Sequence, residues 1–171
     1  MINERDTQDT ILELASDKAR VGAYLAKTKK SVEALAAAHL GALQAHMEAT
    51  AARLGTKPAV LVPSDLEKKA ARLIPRPTAK VRSEGYRGYN KVINAVPKEQ
   101  KAKFPSGQLG AGRDFMGTTP DLHCLIDGRH SALDIKNMLD AQYTGKTNLE
   151  HVMNYLEVLR LAGLVELKST K

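Results

Sequence analysis

The chain has 171 residues, of which 43% are hydrophobic and 4% aromatic, with no Trp and a formal net charge of +7. No apolar run approaches the roughly 18 residues that span a bilayer, and the single Cys124 excludes an internal disulfide. A helical membrane protein and a disulfide scaffold are thereby excluded, and a reducing, cytoplasmic setting is expected.

This length fits one domain or two small ones. With so few aromatics the core must come from Ala, Leu, Val and Ile, which suits close-packed helices. The opening residues, Met1 to Asp6, are too polar for a secretory signal. The charge is not spread evenly. Residues 1–56 are net zero and residues 104–171 net −1, whereas residues 57–103 carry 12 basic and 4 acidic side chains. Such a concentrated basic segment attracts nucleic acid, an acidic protein surface or an anionic membrane.

Residues 8–54 follow helical periodicity, with Ile11, Leu14, Val21, Leu25, Val32, Leu35, Leu43, Met47 and Leu54 spaced by threes, fours and their sums. One unbroken helix of that length would run about 70 Å. A break is expected at Thr28-Lys29-Lys30 with Ser31 capping the next helix, giving a helical hairpin that ends at Gly55. Thr56 to Pro63 reads as an extended connector. Ser64-Asp65-Leu66-Glu67 is a capping box opening a helix to about Ile74, which Pro75-Arg76-Pro77 stops. Lys80 to Val96 reads as a further helix carrying Tyr86 and Tyr89, weakened by Gly85 and Gly88. Phe104 to Gly117 reads as a loop with a soft boundary.

The C-terminal unit follows. Pro120 suits a first helical position, and Asp127-Gly128 ends that helix. Ser131 caps a second helix, with Gly145 after its end, and Thr147-Asn148-Leu149-Glu150 opens a third that closes at Gly163. Leu164 to Lys168 suits a strand. The expected fold is mostly α: a helical hairpin over 1–56, a basic helical connector and Gly-rich loop over 57–117, and a winged-helix-like unit with a short strand over 118–171.

The run from Leu125 to Leu167 resembles the PqqD-like branch of winged helices. The residues that carry the likeness are Asp127-Gly128, the hydroxyl cap Ser131, Ile135, and the closing Leu156, Leu159, Gly163, Leu164 and Val165. They cover about a quarter of the chain. The resemblance implies a unit that grips a peptide along a strand and helix, often within a larger enzyme. A helical hairpin before such a unit also resembles the tail of some bacterial di-zinc aminopeptidases.

If the last helix buries Leu149, Val152, Met153, Leu156 and Leu159, it exposes Tyr155, Val158 and Leu161. These three, with Leu164, Val165 and Leu167 on the following strand, form the candidate protein- or peptide-binding surface. The same helix would also expose Glu150 and Glu157 against Arg160, a poor match to phosphates in a DNA groove. The alternative is a nucleic-acid-binding regulator using Arg72, Arg76, Lys80, Arg82, Arg87 and Lys91, with Tyr86 and Tyr89 to stack on bases. A third reading is a structural homo-oligomerisation unit built on the Ala-rich N-terminal helices.

No metal or cofactor is expected. His39 and His46 lie two helical turns apart rather than at zinc-ligand spacing, and His123, Cys124 and His130 match no standard pattern. Cys124, between apolar neighbours, reads as a buried small hydrophobe. No nucleophile elbow, paired-carboxylate motif or phosphate-binding Gly-Lys-Ser/Thr is present, so the expected function is non-catalytic.

Overall fold

The computed structural model describes residues 10–86, 92, 94–101, 113–143 and 146–169. They form a mostly helical protein with a small antiparallel sheet of two strands. The chain divides into two compact units, Met1–Val62 and Pro63–Lys171.

The first unit is dominated by one helix, α1 (Lys18–Arg53), of 36 residues. The break expected at Thr28–Lys30 is absent. Ser31 does not cap; its hydroxyl donates back to the Lys27 carbonyl (3.3 Å), and Thr28 does the same to Tyr24 (3.1 Å). Both hydroxyls satisfy themselves inside a continuous helix, and the Ala-rich run beyond them has high helix propensity. The chain reverses earlier. A short helical turn over residues 10–14 precedes Asp17, whose carboxylate caps α1 by accepting from the Arg20 amide (3.0 Å). A Cβ at Gly22 would lie 3.7 Å from Leu12 Cδ1. Ten residues of straight helix would separate them by about 15 Å, so the turn folds back onto α1. Gly55, at φ 65°, follows the C-cap, as its sequence position implied.

The second unit opens at the Ser64–Glu67 capping box. Ser64 Oγ accepts from the Glu67 amide and the Glu67 carboxylate accepts from the Ser64 amide. It starts α2 (Asp65–Arg72), which ends two residues before the expected Ile74. The chain then enters β1 (Leu73–Pro77) instead of stopping. Next come α3 (Ala79–Glu84), closed by Gly85 at φ 71°, and α4 (Lys98–Lys101). Residues 92 and 94–95 are also helical, so the long helix expected over 80–96 is interrupted at Gly85.

Three helices complete the unit. The first, α5 (Arg113–Leu125), takes in residues 113–117 of the expected Phe104–Gly117 loop, whose residues 104–112 lie outside the described residues, and carries Pro120 inside it, not at its start; this forfeits one i→i−4 hydrogen bond. The second, α6 (Ala132–Gln142), opens on the Ser131–Asp134 capping box, as expected. The third, α7 (Leu149–Leu161), is capped by Asn148, not by Thr147: its side chain accepts from the Glu150 amide (2.9 Å). Gly163, at φ 71°, ends α7 and leads into β2 (Val165–Ser169).

The core lies where α7 meets α5, α6 and the sheet. Leu122, Ile135, Leu139, Val152, Leu156 and Leu159 are fully buried there, along with Ala70 of α2 and Val165 of β2. The strand β2 packs on α7, and β1 packs on α2, α3 and α6. Side chains alternate across the sheet as the pleat requires. Pro75 and Val165 point into the core, and Arg76, Glu166 and Lys168 point out.

Candidate functional site

The expected exposed face of α7 is not a surface. Tyr155 and Val158 are both 0% exposed, and Leu161 is half-buried. The helix turns further into the core than the sequence suggested because two layers press on it, the helices on one flank and the sheet on another. Leu164 and Val165 are buried as well, which leaves Leu167 half-buried on the strand. The backbone of this strand is the exposed feature, and its edge is defined by the register.

Leu73 pairs with Ser169, Ile74 with Lys168, Pro75 with Leu167, Arg76 with Glu166 and Pro77 with Val165. Thr78, one residue on, donates its amide to the Leu164 carbonyl (3.0 Å), and its hydroxyl reaches the Gly163 and Leu164 carbonyls. In an antiparallel pair the amide and carbonyl of one residue point the same way, and neighbours alternate. Ile74, Arg76 and Thr78 therefore face β2, and Pro75 and Pro77 face away. Neither proline has an amide to offer. Their carbonyls are occupied: Gly128 N–H donates to Pro75 O (3.1 Å), and the Arg82 guanidinium donates to Pro77 O (3.3–3.4 Å). The outer edge of β1 is thus closed.

The same alternation leaves β2 open. Glu166 and Lys168 turn their backbone groups to β1, so Val165, Leu167 and Ser169 turn theirs outward. Among the described residues, no backbone group bonds to them. A short strand edge with free amides and carbonyls is a template for another extended chain. Reading Pro75-Arg76-Pro77 as a helix stop missed this strand. Its spacing of two is the overlooked signal, because it puts both missing donors on one edge, where a strand tolerates proline.

The turn that closes β1 is itself tightly held. Asp127 accepts from the Arg129 and His130 amides (2.8 and 3.1 Å) and from Arg129 Nε (2.7 Å). Partial burial favours the protonated Asp127, but these hydrogen bonds outweigh it and hold the carboxyl below its usual range. Gly128 sits at φ 82°, and a Cβ there would meet Arg76 Cγ at 3.0 Å. The expected result for Gly128→Ala is a loss of about 1–2 kcal/mol from the left-handed backbone alone. Thermal unfolding would read this as a Tm drop of roughly 5–10 °C.

The basic residues are only partly gathered. Arg72, Arg76, Lys80 and Arg82 are exposed on the α2–β1–α3 stretch, whereas Arg87, Lys91 and Tyr89 lie outside the described residues. Arg82 is engaged with Pro77, and Arg76 stands directly opposite Glu166 in the sheet. Tyr86 is not free to stack on a base. Its ring is stacked on His123 with centroids 4.1 Å apart.

His123 is the centre of an interior cluster that the sequence did not reveal. Its Nε2 lies 2.9 Å from the Tyr155 hydroxyl, and the two rings are 5.7 Å apart. Burial pushes the imidazole down to about 4 and the Tyr86 phenol up to about 12. Both groups are therefore neutral near pH 7, far from the range in which a general acid or base works well. The neighbouring Cys124 is exposed, contrary to its expected burial. His39 and His46 are exposed on α1. No cluster of three or more metal-binding side chains occurs among the described residues.

No protein-family model, no curated protein and no solved structure matches the chain. No described helix is long and apolar enough to cross a membrane.

Proposed function

We propose that the protein is a non-catalytic interaction module that takes an extended protein segment or peptide along the outer edge of β2. One observation carries this reading: among the described residues the outward amides and carbonyls of Leu167 and Ser169 have no backbone partner, while prolines and the Asp127–Gly128 turn close the other edge. A single open edge gives one register and one docking side. Main-chain hydrogen bonds would supply affinity, and the half-buried Leu161 and Leu167 would meet alternate side chains of the guest. The resemblance of Leu125–Leu167 to PqqD-like winged helices, which grip peptides along a strand and helix, points the same way. Such a unit suits an accessory role beside a larger enzyme.

The test is selection of peptides from a random display library on the full-length chain, followed by binding to Leu167→Pro. The amide of Leu167 points outward and is not used in the ladder. Its removal is expected to weaken a selected peptide at least tenfold and to lower Tm by only a few degrees. Lys168→Pro is the contrast, because its amide faces Ile74; it is expected to unfold the sheet. Peptides that bind Leu167→Pro as tightly as the parent, or a selection that yields none, would overturn the reading. Affinity that collapses by orders of magnitude between about 50 and 200 mM salt would instead mark nucleic-acid-like phosphate contacts.

A further inference from the structure

Just before α2 the chain exposes a run of apolar residues. Val60, Leu61 and Val62 are 86%, 91% and 76% exposed, and Ala59 beside them is exposed too. Single surface hydrophobes are ordinary, but a consecutive run in the open marks a contact surface. The run belongs to no helix or strand, and among the described residues the backbone of 57–62 makes no hydrogen bond to other backbone. Valine favours strands. Pro58 and Pro63 bracket the run, and each disfavours helical backbone at the residue before it. Ala59–Val62 is thus a short segment biased toward extended backbone, so little entropy is lost when it docks.

The edge of β2 lacks what this segment has. Val165, Leu167 and Ser169 turn amides and carbonyls outward, and the segment offers its own in return. Docked antiparallel, it continues the antiparallel sheet. In that direction, residues whose backbone faces β2 share the sheet face of Val165 and Leu167, the core side. Hydrophobic pattern sets the register: Val60 and Val62 face β2 and cover the half-buried Leu161 and Leu167, and Ala59 and Leu61 face away. The prolines end the added strand on both sides and stop the sheet from growing.

We infer that Ala59–Val62 of one chain pairs with the β2 edge of a second copy, and reciprocally. This rests on the open-edge reading of β2 and names its first occupant. The Ser64–Glu67 capping box fixes where the segment ends, and with that end fixed its run stays uncovered in its own chain. A second copy brings a free edge without that tether. Each chain supplies one segment and one edge, so two copies satisfy both features twice and close the assembly. The second contact forms within the pair and reinforces the first. Short contacts of this kind are weak, so the chain is a monomer with an open edge when dilute and occupies its own edge when concentrated.

The test is light-scattering mass of the full-length chain across concentration. The parent is expected to rise from 18.6 kDa below about 5 µM to twice that above about 500 µM, as suits a small interface. Val60→Pro removes an amide that faces β2 and is expected to stay monomeric throughout. Leu61→Pro removes one that faces away and is expected to pair like the parent. Neither amide is bonded within the chain, so both variants should melt with the parent. Isotope-labelled Val60→Pro keeps its edge, and Leu167→Pro keeps its segment. Mixed at about 500 µM, they are expected to associate and to shift the Leu167 and Ser169 amide resonances of the labelled chain. A parent that stays at one chain mass, a Val60→Pro chain that pairs like the parent, a Leu61→Pro chain that does not pair, or a mixture without shifts would each overturn the inference. If library-selected peptides still bind the β2 edge in that case, self-docking alone has failed; if they do not, the open-edge reading has failed with it.

Discussion

Leu156→Ala is expected to cost about 3–5 kcal/mol and to leave the second unit unfolded or nearly so at 37 °C. Leu156 is fully buried on α7, the helix that contributes Val152, Tyr155, Val158 and Leu159 to the same core. Truncation removes the transfer free energy of three carbons and leaves a cavity that helices and sheet together cannot collapse into. With roughly 4–8 °C of Tm per kcal/mol for a unit of this size, the shift would be about 12 °C or more. Leu43→Ala on the exposed face of α1 is the matched control and should leave the melting of the second unit unchanged. A Leu156→Ala chain that melts within about 5 °C of the parent would contradict the placement of α7 at the centre of the core.

Acid should weaken the fold through His123 before it protonates the carboxylates. Burial lowers the folded imidazole from the ordinary 6.5 to about 4. A lowered histidine pKa means that the unfolded chain binds the proton first. Stability is therefore fully present above about pH 6.5 and is lost as pH falls toward 4, with little further loss from this group below that. A shift of this size corresponds to roughly 2–3 kcal/mol once the partial solvent access of the ring is allowed for. Asp127 and Asp140 are both held below the usual carboxylate range, so their losses come at lower pH. Melting temperatures of the parent and His123→Asn between pH 4 and 8 separate the two effects. The parent is expected to lose several degrees more than the variant between pH 6.5 and 4.5. Parallel curves would mean that His123 is not buried neutral.

Local signals in the sequence were read well where one residue settles them. The capping boxes at Ser64 and Ser131 and the glycine stops at 55 and 163 are fixed by neighbours within four residues. Features set by distant packing were harder to read. Nothing near Tyr155 and Val158 says that a sheet will cover them, because the strand that completes it comes from residues 73–77. Two prolines in five residues oppose a strand until it is known that both amides face outward. Hydroxyls at Thr28 and Ser31 favour a break only when they are free to leave the helix, and here each bonds to the turn before it. Of the proposed binding surface, the strand at the C-terminus was visible in its sequence pattern. That its backbone and not the neighbouring side chains would be exposed depended on the register.

The most direct measurement is residue-resolved amide hydrogen exchange along β2, first alone and then with a selected peptide. Glu166 and Lys168 are expected to exchange slowly in both states because their amides lie in the ladder. Leu167 and Ser169 are expected to exchange quickly in the free chain and to become protected when the peptide binds. Protection of Leu167 and Ser169 before any peptide is added, or rapid exchange at both after binding, would contradict the open edge as the binding site.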